Sequence, residues 1–257
     1  MYAPTSPTSN HSRAAVESTH DYNNPPDSMA QPTPAQPAAM QAHLAAQTDL
    51  ALPTPVTAAS PIPQPIFTTP RLIVRPLHPQ DAPSMSQHAN NPKVTKYMSL
   101  AFPSPYTLDT ANEWIAMNQS APIHNWGICL ASAPNAAIGG VGMKPGADVQ
   151  DHAAEAGFWI GEAFWGQGLT TEVLAGLTEW CFTAEEAKLA TGGKRWTRLF
   201  GTVFAGNVGS MRCFEKCGYL EEGVLRGGVE KNGVASDLHV FGLVKGDWEA
   251  KRGWREA

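Results

Sequence analysis

Trp165-Gly166-Gln167-Gly168-Leu169-Thr170 is the stretch of this 257-residue chain with the clearest chemical capacity. A strand-like run ends before it at Ile160. A helix-like run follows from Thr170 to Phe182, with Val173, Leu174, Leu177 and Cys181 at helical spacing. In such a strand–glycine loop–helix order, successive backbone N–H groups point into one concavity. The helix N-terminus adds about half a positive charge. Together they hold a phosphate or pyrophosphate without a lysine. Gly166 and Gly168 let the backbone come close to that ligand. A P-loop is excluded, because Gly168 is followed by Leu169 rather than Lys-Ser/Thr. A dinucleotide fingerprint would need a small residue at Thr171 inside a parallel βαβ unit, whereas the preceding strands read as antiparallel. The alternative is a glycine-containing turn with no ligand.

The cysteines and histidines point to no metal. Cys129, Cys181, Cys213 and Cys217 are too sparse for a disulfide scaffold. Cys213 and Cys217 are spaced i, i+4 on one helix face, but no second Cys or His pair has matching spacing. They read as packing residues of a reducing compartment.

The loop needs a scaffold, and the rest of the chain supplies one. Arg71 to Leu77 alternates and reads as a first strand. His78-Pro79-Gln80-Asp81 opens a short helix through Met85 to His88, broken at Asn90-Asn91-Pro92, with another turn from Val94 to Met98. Thr107 is the expected N-cap of a helix from Leu108 to Asn118. Strands follow at Trp126–Leu130, Ile138–Met143 and Glu155–Ile160, with a turn at Ala133-Pro134-Asn135 between the first two. After the loop and its helix come a strand from Thr197 to Phe204 and a short helix from Ser210 to Cys217, stopped by Gly218. A closing strand runs from Val234 to Val244, and the end is polar. This order predicts an α/β (α+β) fold: a mixed, largely antiparallel central sheet flanked by helices, not a doubly wound one. Trp114, Trp126 and Trp159 read as core rather than as pocket lining.

Composition limits what surrounds this domain. Residues 1–66 hold twelve of the 22 prolines and few large apolar side chains, and are expected to be a disordered Pro/Ala/Ser/Gln-rich tail. The domain is expected at 67–257. The net charge of −5 splits as −3 in the tail and −2 beyond it. No basic footprint for nucleic acid stands out. No apolar run nears the roughly 20 residues of a membrane span. The tail carries neither a secretory core nor an Arg-rich transit pattern, so the expected location is cytoplasmic.

Four segments together carry a resemblance. The loop Trp165–Thr170 resembles the pyrophosphate motif of the GNAT superfamily of N-acetyltransferases, most closely in the RimJ/RimL-like (ribosomal-protein N-terminal acetyltransferase-like) branch. Thr69-Pro70-Arg71-Leu72 through Leu77 is similar to that branch's opening strand, and Glu155–Ile160 to its fourth. Asn207-Val208-Gly209-Ser210, then Phe214-Glu215-Lys216-Cys217-Gly218-Tyr219, is similar to its last conserved helix. The match spans about residues 67–245. It departs at Trp165, where Gln or Arg is usual, at an apparent insertion from Thr183 to Trp196, and at Phe214, where many members carry a tyrosine acid.

The resemblance implies transfer of an acetyl group from acetyl-CoA, as co-substrate, to a primary amine. The acceptor could be a protein N-terminal α-amine or a small-molecule amine. It implies cofactor contacts at Trp159, Ile160, Trp165, Gly166, Gln167, Gly168, Leu169, Thr170, Asn207 and Ser210, with a bond to its own loop as the alternative for Asn207. Ser210 is the implied partner of the leaving thiolate. Glu155 is the first candidate base and Glu230 the second. The implied assembly is a monomer or homodimer. A non-catalytic acyl-CoA-binding domain of the same fold is the alternative, on the strength of Phe214.

Overall fold

A computed structural model describes residues 56–191, 193 and 195–256. The disordered reading of 1–55 lies outside these residues. Of the segment read as tail, residues 56–66 are among those described. Residues 57–66 are held on the domain by directed bonds. His78 Nε2 lies 3.1 Å from the Ser60 carbonyl, Gln80 Nε2 donates to the Ala58 carbonyl at 2.7 Å, and the Ile66 amide donates to Val74 at 2.8 Å. Proline content hid this docking, because the docked groups belong to Ala58, Ser60 and Ile66 and not to the prolines between them.

The described residues form an eight-stranded sheet. Its strands are β1 (Phe67–Thr68), β2 (Leu72–Pro76), β3 (Asn125–Leu130), β4 (Ala133–Pro145), β5 (Ala153–Ile160), β6 (Arg198–Phe204), β7 (Leu220–Lys231) and β8 (Val234–Val244). The order is β1-β2-β3-β4-β5-β6-β8-β7, and only β5 and β6 run parallel. The helices are α1 (Ala82–Ala89), α2 (Pro92–Thr95), α3 (Leu108–Met117), α4 (Leu169–Thr183), α5 (Val208–Lys216) and α6 (Lys245–Glu256).

Alternation sorts side chains into two cores. Leu72 and Val74 of β2 join Trp126, Ile128 and the apolar stripe of α4 on one face. Ile73 faces the other way, toward Met85 of α1 and Ile115 of α3. An ion pair with no solvent access fixes the second layer. Arg75 donates to both Asp81 oxygens at 2.8 and 2.7 Å, and Asp81 also accepts from the amides of His78 and Ala137. Asp81, read from sequence as a helix-opening acid, therefore ties β2 to β4 through the turn that launches α1. Every carboxylate oxygen is bonded, which is what makes burial of the charge tolerable.

Three elements differ from the expectation. Strand β7 was not read, because Leu220–Lys231 contains three glycines, lacks alternation and is exposed over most of its length. The readable signal was Asn232-Gly233, whose φ values of 53° and 77° make the left-handed turn that joins β7 to β8. Strand β4 starts at Ala133, so the turn expected at 133–135 lies one step earlier. Leu130 already pairs with Ala133, and Pro134 sits in an irregular stretch of ladder where its missing N–H costs nothing. The polar end is helix α6, packed through Trp248 against Phe182 with ring centroids 5.5 Å apart.

Candidate active site

The parallel pair β5–β6 is short. Ala153, Ala154 and Glu155 pair with Arg198, Leu199 and Phe200, and there the ladder ends. Both strands continue, β5 to Ile160 and β6 to Phe204, without pairing to each other. They therefore fork. The other edge of β5 stays bonded to β4 as far as Ile160 opposite Gly139. Backbone groups on the fork side of Ala156–Ile160 have no ladder partner, and an extended ligand carrying amides could pair there.

The glycine loop lies at the open end of that fork. After β5, a 3-10 turn at Glu162–Phe164 leads to Gly166 (φ 73°) and Gly168 (φ 76°), the latter being the N-cap of α4. A Cβ on Gly166 would meet no atom within 4 Å, so backbone conformation rather than crowding asks for glycine there. No side chain caps α4, leaving its first amides free for an anion. Leu169, expected among the cofactor contacts, has its side chain in the core, so only its amide faces the loop. Ile160 is likewise buried.

A frame of charged and polar bonds holds the loop's shape. Trp165 donates its indole N–H to the Ile160 carbonyl at 2.8 Å, and Gln167 donates to Ala163 at 3.0 Å. Neither Trp165 nor Gln167 offers that donor to a ligand in this geometry. Arg71 donates to the Gln167 carbonyl at 2.9 Å and to Glu172 in the first turn of α4 at 2.6 Å. Burial opposes the Glu172 charge, but bonds from Thr69, the Arg71 amide and the Arg71 guanidinium outweigh it and hold the carboxyl below its usual range. On the other side, Glu162 pairs with Lys93 and accepts from Asn91 at 2.8 Å. The roles of Arg71 and Glu172 were missed in the sequence, since neither lies in the glycine motif and they are about a hundred residues apart.

Groups with acid–base capacity flank the fork from opposite faces. On β5, Ala154, Ala156 and Ile160 enter the core beneath α4, so Glu155, Gly157 and Trp159 face the opposite side. There Glu155 accepts from Thr202 of β6 at 2.5 Å. Trp159 packs against Phe102 and Tyr106, at 5.8 and 6.5 Å between ring centroids. On the α4 side, Asn207 caps α5 by accepting from the Ser210 amide at 3.4 Å. Its side chain thus serves its own loop. Ser210 is half-buried in the first turn of α5, one helical turn before Phe214. Phe214 lies 2% exposed, stacked on Phe241 and 5.4 Å from Phe158. It occupies the space over Gly201, where a Cβ would come within 2.1 Å of its ring. Phe214 is therefore core, with neither a proton nor access to a substrate.

Glu230 is not brought to this place. It is exposed near the tip of β7, opposite Ala235. Val240, level with Thr202, is five residues back along β8, or about 16 Å. Its neighbour Lys231 instead reaches the segment after α2, and Tyr97 of that segment bonds the Gly206 carbonyl. The cysteines join α5 to α4. Thr171 donates to Cys213, and Cys217, its thiol pushed up to about 12 by burial and by Cys213, donates to the Thr171 carbonyl.

A forked sheet with an anion-receptive loop at the fork is the architecture of an acyl-transfer enzyme, and comparison gives the family. A model described as an acetyltransferase (GNAT) domain matches residues 71–220. The chain belongs to the GNAT acetyltransferases. YoaA of Bacillus subtilis (strain 168), named an uncharacterized N-acetyltransferase, is 30% identical over 189 residues, covering 70% of this chain and 97% of its own. YdaF of the same organism, provisionally named a ribosomal N-acetyltransferase, is 28% identical over 186 residues, covering 70% and 95%. Among solved structures, RimL, a ribosomal L7/L12 α-N-protein acetyltransferase in complex with coenzyme A, superposes with a TM-score of 0.57 at 16% identity. That superposition covers 70% of this chain and 98% of RimL.

Proposed function

We propose that this acetyltransferase takes its acetyl group from acetyl-CoA and delivers it to a primary amine, either a protein N-terminal α-amine or the amine of a small molecule. The observation that carries the reading is the fork of β5 and β6 closed at its open end by the left-handed glycine loop. A pyrophosphate would sit on the free amides of α4, braced from behind by Arg71. The pantetheine arm would run into the fork and pair with β5. The thioester would then lie between Ser210 on one face and Glu155 on the other.

The chemistry follows from that placement. The neutral amine attacks the thioester carbonyl, a C–N bond forms, and the oxyanion takes the electron pair. Collapse breaks the C–S bond and the pair leaves on sulfur. Ser210 donates a hydrogen bond to the thiolate, and Glu155 accepts the amine proton through water. At pH 7, freeing an amine of its proton costs about 1.4 kcal/mol for an α-amine and about 4.6 kcal/mol for a lysine. A half-buried carboxylate such as Glu155, bonded by Thr202, suits the α-amine. The relative named for ribosomal N-acetylation and the likeness to RimL support the same acceptor class.

The test is release of CoA thiol on incubation with acetyl-CoA and each of three acceptor sets: Ser- and Ala-starting peptides, polyamines and amino-sugars. Turnover with peptides above the others is expected. Binding of acetyl-CoA without turnover of any amine would overturn the reading.

A further inference from the structure

Among the described residues, no carboxylate pairs with Lys231. Its ammonium donates instead to the Thr95 carbonyl at 2.6 Å and the Met98 carbonyl at 2.6 Å, with Lys96 at 3.5 Å. These carbonyls lie where the single-turn helix α2 ends, and the Thr95 oxygen also accepts from the Met98 amide at 3.1 Å; such groups are ones a cation satisfies well. The residue in their midst, Tyr97, donates its hydroxyl to the Gly206 carbonyl at 3.1 Å. Gly206 directly precedes Asn207, the cap of the helix that carries Ser210.

The far end of the same segment is fixed on the other strand of the fork. Phe102 and Tyr106 pack on Trp159 of β5. Residues 96–106 thus run from β5, across the opening, to the β6–α5 loop and the tip of the β7–β8 hairpin. They form a strap over the Glu155 side of the fork. One end rests on aromatic packing and on the Tyr106 backbone, which donates to Asn90 at 3.2 Å and accepts from Ser86 at 3.4 Å. The other rests on one lysine and one tyrosine hydroxyl.

We infer that Lys231 is a positioning residue for the acceptor: by clasping the carbonyls around Tyr97, it sets the strap under which the amine must pass to reach the thioester. The inference rests on the acyl-transfer reading of the fork. It also assigns a purpose to the β7–β8 hairpin, whose length otherwise exceeds what β6 needs for pairing. β6 ends level with Leu238 and Leu225, and the hairpin projects past it to Lys231 and Val234. Without the clasp, the strap end loses a charged donor to the carbonyls of Thr95, Lys96 and Met98, and Tyr97 loses its fixed distance from Gly206. The acetyl-CoA side of the fork, built on β5, α4 and Arg71, does not depend on it.

The experiment compares wild type with Lys231→Met and Lys231→Arg. Three readouts are taken: hydrogen exchange of peptides spanning 96–106, acetyl-CoA affinity by calorimetry, and steady-state kinetics. The probe amines are serinamide, Ser-Ala-Ala and spermidine. In Lys231→Met the strap should exchange faster and the acceptor KM should rise about tenfold, the scale on which pocket contacts sort acceptors. Its kcat should stay within about threefold and acetyl-CoA affinity should be unchanged. Lys231→Arg, which can still donate to the carbonyls, should recover most of the acceptor KM. Unchanged exchange in Lys231→Met overturns the clasp. Faster exchange with an unchanged acceptor KM overturns the acceptor role and leaves the acyl-transfer reading standing. If wild type binds acetyl-CoA and turns over none of the amines, the proposed function falls and takes the acceptor role with it.

Discussion

Gly166 separates two explanations of the loop, because its surroundings and its backbone make opposite demands. A Cβ there would meet nothing within 4 Å, yet the residue holds φ at 73°. Any side chain fits the space, and only the backbone objects. An L-residue in the left-handed region costs about 1–2 kcal/mol, and less for asparagine, which bonds locally. If the loop relaxes to relieve Gly166→Ala, the amides that should meet a pyrophosphate are misdirected. The strain then appears as a 5- to 30-fold weaker acetyl-CoA affinity, by about 1.4 kcal/mol per tenfold. If the frame of Trp165, Gln167 and Arg71 holds the loop rigid, affinity survives and the same 1–2 kcal/mol appears as lost stability in urea. Gly166→Asn should show a smaller effect than Gly166→Ala on either scale, although asparagine is larger. Calorimetry and urea unfolding on the two variants decide. Equal, wild-type values in both assays, or a larger defect in asparagine than in alanine, would refute a conformational role.

Other perturbations test the rest of the scaffold and the site. Asp81→Ala leaves Arg75 charged and unpaired in the core and should cost about 3–5 kcal/mol in chemical denaturation, much of which Arg75→Met with Asp81→Leu should recover. Glu172 has a lowered folded-state pKa, so its contribution is present above the usual carboxylate value and lost as pH falls through the lowered one. Glu172→Gln should therefore be less stable than wild type at neutral pH and show a flatter stability profile below about pH 4.5. Ser210→Ala should lower kcat by roughly 10- to 1000-fold with little change in acetyl-CoA affinity, and an unchanged kcat would remove it from the chemistry. Glu155→Gln should hurt most at low pH, where neutral amine is scarce, and a pH-independent defect would dismiss it as the base.

Much of this arrangement is readable from residue types at short range. The glycine loop, the cap at Thr107 and the alternation of β2 all depend on neighbours a few positions apart, and the structure has them where spacing puts them. What escaped depends on distance along the chain. Arg71 meets Glu172 and Gln167 only because β1 and β2 lie beside the start of α4. Thr202 meets Glu155 only because two strands separated by a helix and a long connection come to lie parallel. Glu230 was chosen by position after the last helix, in a segment not recognised as a strand. Once β7 forms, its residues alternate in direction. Lys231, not Glu230, then turns toward α2. The cation was invisible as a functional group because its partners are carbonyls, which every residue has.

The fork has a mechanical consequence. Three registered pairs are all that join the strands from β1 to β5 with the trio β6, β8 and β7 through the backbone ladder. The junctions on either side of it are longer: seven pairs between β4 and β5, and seven between β6 and β8. In its backbone ladder the sheet is therefore two plates on a narrow seam, bridged on one face by the packing of Phe214 between Phe158 and Phe241. A pantetheine arm lying in the gap would supply rungs that the polypeptide omits, so the donor would act as a strut while it is a reactant. Under that reading the empty protein unfolds in two steps or with low cooperativity, and saturation with acetyl-CoA draws both plates into one transition at a higher temperature. Departure of CoA after transfer would then loosen the seam, and the rate at which the plates part would help set how fast the next cycle begins.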